Sequence, residues 1–257
     1  MTNARSAVRL VGISSSPRHG NTEILLREAL QAAQEAYPEI AIEMISFKGK
    51  KIRPCYDCKA CERRETANLW EQCVLKDDWV ELVRPLVDPV PNGIIIASPV
   101  YFSDVNSALR AFMERCTSLL KPYWFPQLPF KPPDFSRTAG GALAVGFHRH
   151  GGQETAILTI LRFFVIVGIA AVGSVCPENG PIGYYGGAAW EDVTGEASRK
   201  GVLKDRWGLY SARVLGRRVA HAALLLANAP DIPMVSEPFV PHYEPHPSVN
   251  SIETGVR

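Results

Sequence analysis

Apolar runs at residues 8–13, 40–45, 93–98, 142–147 and 169–175 recur along the chain, with amphipathic segments of helical length between them. A strand buried on both faces reads as a continuous apolar run, and a parallel neighbour demands a crossover that a helix usually supplies. Five such strands alternating with helices predict an α/β chain built on a parallel sheet covered on both faces. The spacing predicts helices over 22–36, 77–87, 105–120, 153–167 and 204–227. In the last, Leu203, Trp207, Tyr210, Val214, Val219, Ala222 and Leu226 fall near helical spacing and read as a core stripe.

The chain has 257 residues, enough for one large domain with long excursions. Residues 50–72, 122–137 and 177–199 stand outside the alternation, and such connections are usually functional or interface elements. The expected organisation is one sheet domain over 1–227 with a cysteine-rich insertion at about 50–76, followed by an arm over 228–257. Pro233, Pro238, Pro241, Pro245 and Pro247 favour extended backbone there, as either a disordered tail or an arm lying on a neighbouring subunit. Twenty-eight basic and 26 acidic side chains leave a net charge of +2, with no basic block to bind nucleic acid. The longest apolar run, 163–176, has 14 residues, too short for a bilayer span, and reads as a helix end passing into a buried strand. Arg5 and Arg9 precede any apolar run of signal length. Six cysteines without a signal peptide predict a reducing, cytoplasmic setting, where clustered thiols bind metal or do redox work.

The segment Ser14-Ser15-Ser16-Pro17-Arg18-His19-Gly20-Asn21-Thr22 lies between the first strand and the first helix. Unpaired N–H groups and the positive end of the helix dipole make that turn an anion site, and its serines, Asn21 and Thr22 add donors. It lacks the Gly-Lys-Ser/Thr ending of an ATP loop and the G-x-G-x-x-G of a pyrophosphate loop. A single phosphate monoester fits better, in the first βα turn where open parallel sheets place such ligands.

A second turn, Ser98-Pro99-Val100-Tyr101-Phe102-Ser103, ends the third strand and leads into Asn106-Ser107-Ala108-Leu109-Arg110-Ala111-Phe112-Met113-Glu114-Arg115. This segment resembles the S-P-V-Y-F…L-K-A-F-x-D-R pattern of flavodoxin-like NAD(P)H-dependent FMN reductases, and 16–22 resembles their phosphate loop. With Gly151-Gly152-Gln153-Glu154 after the fourth strand, the likeness covers roughly 7–176 in order. It implies a doubly wound, five-stranded flavodoxin-like fold. It further implies that Ser16, Arg18, Asn21 and Thr22, beside Ser14, hold the FMN phosphate. Pro99, Val100, Tyr101 and Phe102 would line the isoalloxazine, and Gly151 and Gly152 would approach it. On this resemblance NAD(P)H is a substrate, flavin N5 carries the chemistry, and no side chain is required as acid or base. The acceptor would be a quinone, a flavin or a redox protein, and the assembly a homodimer or homotetramer. The rival expectation is a carrier relaying single electrons between proteins. His148 and His150 adjoin this site.

Cys55-x-x-Cys58-x-x-Cys61, followed after eleven residues by Cys73, is the second strong pattern. Two successive C-x-x-C steps suit three corners of a [4Fe–4S] cubane with a fourth ligand from further on. Zinc and free thiols remain alternatives, since zinc more often takes separated pairs. The region resembles the cysteine segment of iron–sulfur flavoproteins, with a longer last gap in this chain. Lengthening a loop costs little closure entropy, so Cys73 can still return. Cys116 and Cys176 sit in apolar surroundings and are expected as core thiols.

Overall fold

The structure, a computed structural model, describes residues 8–64, 66–174, 182–191 and 198–231. Its strands are β1 (Arg9–Ser14), β2 (Ala41–Ser46), β3 (Gly93–Tyr101), β4 (Asp104–Val105), β5 (Ala139–Gly146), β6 (Ala170–Ala171) and β7 (Gly187–Trp190). Its α-helices are α1 (Asn21–Ala36), α2 (Trp79–Val87), α3 (Ser107–Arg115), α4 (Thr117–Leu120), α5 (Gln153–Val167) and α6 (Arg206–Asn228). The main sheet is parallel in the order β2-β1-β3-β5, with the last position shared by β6 and β7. This is the doubly wound, flavodoxin-like order, and the winding reverses between β1 and β3.

Strand alternation divides the core into two layers. Val11, Ile13, Ile94, Ile96, Ala142 and Ala144 face α2, α3 and α5. Leu10, Ile95, Ala97, Leu143 and Val145 face α1 and α6. β5 is built of small residues because helices close on it from both sides: a Cβ on Gly140 would stand 2.7 Å from the Phe164 ring, and one on Gly141 would stand 2.6 Å from Val219.

Three expectations are corrected. The fifth strand, expected as one buried run over 169–175, is divided: β6 pairs only beside Ala139 and Gly140 and is exposed, and β7 pairs with Leu143 to Gly146. β7 is preceded by Gly186, where a side chain would collide with the Ala142 carbonyl at 2.3 Å. Residue 175 lies outside the described residues. The helix expected over 105–120 is two pieces, α3 and α4, preceded by β4 and capped by Asn106. The expected core stripe of α6 fails only at its start: Leu203, which precedes the helix, and Trp207 are 52 % and 42 % exposed, while Val214 and Val219 are buried as expected, Ala222 and Leu226 pack against the core, and Ala212, Leu215, Ala220 and Ala223 join them. Close approach of α1 selects this face, since a Cβ on Gly216 would lie 1.9 Å from the Ala29 carbonyl oxygen. Small residues at this contact therefore extend the stripe that periodicity marks. α6 ends at Asn228, and the proline-rich segment beyond 231 lies outside the described residues. No helix among the described residues is long and apolar enough to cross a membrane.

Candidate functional site

The reversal point of the sheet brings the turns after β1 and β3 together. Ser16, Arg18, Asn21, Thr22, Pro99, Val100 and Tyr101 line one narrow cleft of about 60 Å³, with Val145, Phe147 and Glu191. Ser14 lies beneath it, fully buried, and its hydroxyl accepts from the Ser16 amide at 3.4 Å. The Ser16 hydroxyl accepts from the Arg18 amide (3.3 Å) and donates to the Arg18 carbonyl (2.7 Å), fixing a tight turn. The N-cap of α1 is Gly20, which has no side chain to satisfy the first-turn amides, so these stay available to an anion. Arg18 is exposed and its guanidinium has no partner among the described residues.

Asn21 stands in the cleft wall, but its side chain is committed elsewhere. It donates to Glu191 Oε2 and the Ser198 carbonyl, each at 2.7 Å, and accepts from the Val202 amide at 3.1 Å. As placed, it offers an anion its backbone N–H, while its amide group clamps the segment after β7 onto α1. Glu23 in the first turn is buried and bonded by Ser46 Oγ (2.6 Å) and His19 Nδ1 (2.7 Å), so a carboxylate complements the dipole there.

The turn after β3 is a two-residue hairpin into β4. Val100 pairs with Val105 and Tyr101 with Asp104, leaving Phe102 (φ +49°) and Ser103 (φ +62°) both left-handed. That is the primed turn that strand twist favours, made from residues to which the conformation is costly. Phe102 is fully exposed and Tyr101 is 46 % exposed, so neither belongs to the core. The turn is braced from behind by Gly152, at φ +104°, whose absent Cβ would lie 2.4 Å from the Ser103 Cα. Gly151 donates its amide to Gln153 Oε1 (2.9 Å), and Gln153 Nε2 donates to the His148 carbonyl (2.6 Å). Gly151, Gly152, Phe102 and Ser14 are outside the cleft wall; Gly152 and Gln153 instead border a larger cavity of about 660 Å³ with Arg149, Trp190 and Trp207. His148 and His150 are exposed.

Two structuring residues had no expected role. Asn106, 3 % exposed, donates Nδ2–H to the Ser15 carbonyl (2.7 Å), accepts the Leu109 amide at Oδ1 (3.4 Å), and donates its own N–H to Ser98 Oγ (3.3 Å). It thereby locks the two turns together. Its signal was an asparagine directly before an amphipathic helix, an N-cap preference. Glu191 had no signal, because its place depends on the divided fifth strand.

The cysteines form a second locus. Cys55, Cys58, Cys61 and Cys73 all line one cleft beside Lys59, Glu62, Arg115 and Lys121. Asp57 (φ +50°) and Lys59 (φ +59°) are left-handed, bending the chain between thiols, and the Asp57 amide donates to Cys55 Sγ at 3.4 Å. Burial pushes the Cys61 thiol up, and Lys121 pulls it the other way. Among the described residues no group of three or more His, Cys, Asp or Glu is gathered as a metal-ion ligand set. The donors nonetheless suit a sulfur-ligated group: four thiols share one cleft, and the buried Nε of Arg115, a residue of its wall, has no acceptor among the described residues. Cys116 is buried, as expected of a core thiol, and burial drives its pKa far up; Cys176 lies outside the described residues.

The model of the NADPH-dependent FMN reductase family matches residues 8–177. The chain belongs to this family. An iron–sulfur flavoprotein of Methanocaldococcus jannaschii is 36% identical over 220 residues, covering 85% of this chain and 99% of that protein. One from Archaeoglobus fulgidus is 37% identical, covering 82% and 95%. These relatives place the chain in the iron–sulfur flavoprotein branch, among flavin-dependent oxidoreductases. Solved structures share the fold: a flavone reductase (TM-score 0.58, 15% identity, 87% of this chain and 65% of that one), and RosB with a bound riboflavin-phosphate intermediate (0.56, 15%, 98% and 100%).

Proposed function

We propose that this family member binds FMN and oxidises NAD(P)H, passing electrons to a quinone, a flavin or an electron-carrier protein, with Cys55, Cys58, Cys61 and Cys73 holding a [4Fe–4S] cluster. The observation that carries the flavin reading is the convergence of Ser16, Arg18 and Thr22 with Pro99, Val100 and Tyr101 on one cleft. The cleft is narrow enough for a phosphate and its ribityl chain. Gly20, Asn21 and Thr22 open α1 toward the phosphate, and Arg18 adds the charge that a dianion needs. The strained Tyr101–Ser103 turn, held by Gly152, is the platform for the ring, with exposed aromatics on its face and backbone groups at its edge. Bound flavin supplies hydride and single-electron chemistry. The protein's part is positional: no acid or base adjoins the turn in a way the reaction requires. The larger cavity beside Gly152, about 660 Å³ and lined by Trp190, Trp207 and Arg149, is of a size to admit the nicotinamide donor or the acceptor.

A second reading, an electron carrier with little NAD(P)H oxidation, is favoured by the four thiols in one cleft. Anaerobic mixing with NADH and NADPH separates the two. Rapid bleaching of the flavin band supports the oxidoreductase; bleaching only by a chemical or protein reductant supports the carrier. Protein that stays colourless with excess FMN overturns both. Iron and acid-labile sulfide assayed in the same sample test the cluster. Sedimentation of the holoprotein tests the homodimer or homotetramer, which we propose from the exposed apolar face of α5 at Val165 and Ile166.

A further inference from the structure

The wall of the cysteine cleft contains a buried charge that flavin binding does not explain. Arg115 closes α3 at 1 % exposure, and a guanidinium in that position is tolerable only when paired and hydrogen-bonded. Its Nη1 donates to both Asp77 oxygens, at 2.7 and 2.6 Å, its Nη2 to the Leu75 carbonyl at 3.2 Å, and its plane lies 4.9 Å from the Trp79 ring. Burial alone would raise the Asp77 carboxyl, but the Arg115 bond and the Arg53 and Trp79 amides hold it below the ordinary range. Among the described residues Arg115 Nε, which is buried, has no acceptor.

The ion pair is asymmetric with respect to the thiols. Arg115 lines the cleft and Asp77 does not, so the cation is the member of the pair that borders the thiol site. Two further cations line the cleft, and each is paired with a carboxylate that also lines it: Lys121 with Glu62 and Lys59 with Asp57, both at 2.7 Å. Hydrogen bonds to sulfur and local net charge are the levers by which a protein sets the potential of a sulfur-ligated iron cluster.

We propose that Arg115 is the potential-setting residue of the cysteine cleft: its Nε–H donates to the sulfur-ligated group held there, and its charge favours the reduced state of that group. The inference rests on the cluster reading above. Reduction adds one electron, and hence one negative charge, to the group, supplied by the flavin or by an external reductant, with no bond made or broken. A fixed cation in a site of low dielectric stabilises that added charge.

The test is an EPR-monitored redox titration of reconstituted holoprotein in wild type, R115Q/D77N and E62Q. The double variant replaces both members of the pair by neutral near-isosteres, which avoids stranding a buried charge and is the form most compatible with folding. Its potential is expected to fall, with reduction about tenfold less favourable, ~59 mV for one electron. E62Q removes a carboxylate from the cleft wall and is expected to shift the potential upward. A merely structural role would loosen the cluster without moving the two variants in opposite directions. R115K, which keeps the charge and loses the forked donor, should fall between wild type and the double variant. A double variant titrating with wild type, or shifting the same way as E62Q, overturns the inference while leaving the cluster reading intact. Wild-type protein that takes up no iron and sulfide overturns the cluster reading and the role of Arg115 with it.

Discussion

Asn106 is a single buried side chain that ties the turn after β1 to the turn after β3, and its replacement has a calculable cost. In Asn106→Ala, α3 loses its N-cap bond to the Leu109 amide, worth about 1 kcal/mol. The Ser15 carbonyl, in a residue with no exposed surface, loses the Nδ2–H that satisfies it, and a stranded buried acceptor costs about 1–3 kcal/mol. The expected loss is about 2–4 kcal/mol, a large part of a domain's usual margin. Asn106→Asp separates the two contributions. Aspartate caps as well as asparagine, yet it sets an acceptor against the Ser15 carbonyl where a donor stood. It should therefore be destabilised at least as much as the alanine variant, although helix capping alone would leave it unharmed. Urea unfolding of the full chain, followed by the fluorescence of its tryptophans, reads both. An Asn106→Asp protein within about 0.5 kcal/mol of wild type would refute the clasp between the two turns.

Three further outcomes are expected. Gly152→Ala places a Cβ 2.4 Å from the Ser103 Cα at a φ of +104°, so the hairpin must shift; a loss of about 2–4 kcal/mol in urea unfolding and weaker FMN binding by fluorescence titration should accompany each other. Arg18→Ala removes an exposed cation from the cleft wall without touching the core, so it should raise the Kd for FMN about tenfold to a hundredfold while leaving the unfolding midpoint unchanged. Because the folded-state pKa of Asp77 is depressed, its contribution to stability is fully present above the ordinary aspartate value of 3.8 and is lost as pH falls through the lower folded value. Urea midpoints measured from pH 6 downward should drop below that point in wild type and drop less in R115Q/D77N, and parallel curves would refute the linkage.

The layers of this fold were legible because each depends on local spacing. Val11 and Ile13 alternate with Leu10 and Gly12 along one strand, and the turn between Ser14 and Thr22 carries its hydroxyls whatever it packs against. That the turns after β1 and β3 meet was legible because the ends of adjacent parallel strands lie at one edge of the sheet, whereas the roles given to their residues came from the family resemblance. The start of the α6 stripe, at Leu203 and Trp207, was misplaced because periodicity ranks large apolar residues first. Contact with α1 instead demanded Gly216 and its small neighbours, a requirement set by a carbonyl 187 residues away in the chain.

The sequence by itself determined the first four strands of the parallel sheet, the crossover helices, the serine-rich turn after β1 and the cysteine spacing, all of which arise from residues close together in the chain. Only the tertiary structure decided that the fifth strand is divided, that Asn21 spends its side chain on Glu191, and that Arg115 pairs with Asp77 at the wall of the cysteine cleft. Those features depend on which distant groups compete for the same donors and the same buried space, and that competition exists only once the chain has closed on itself.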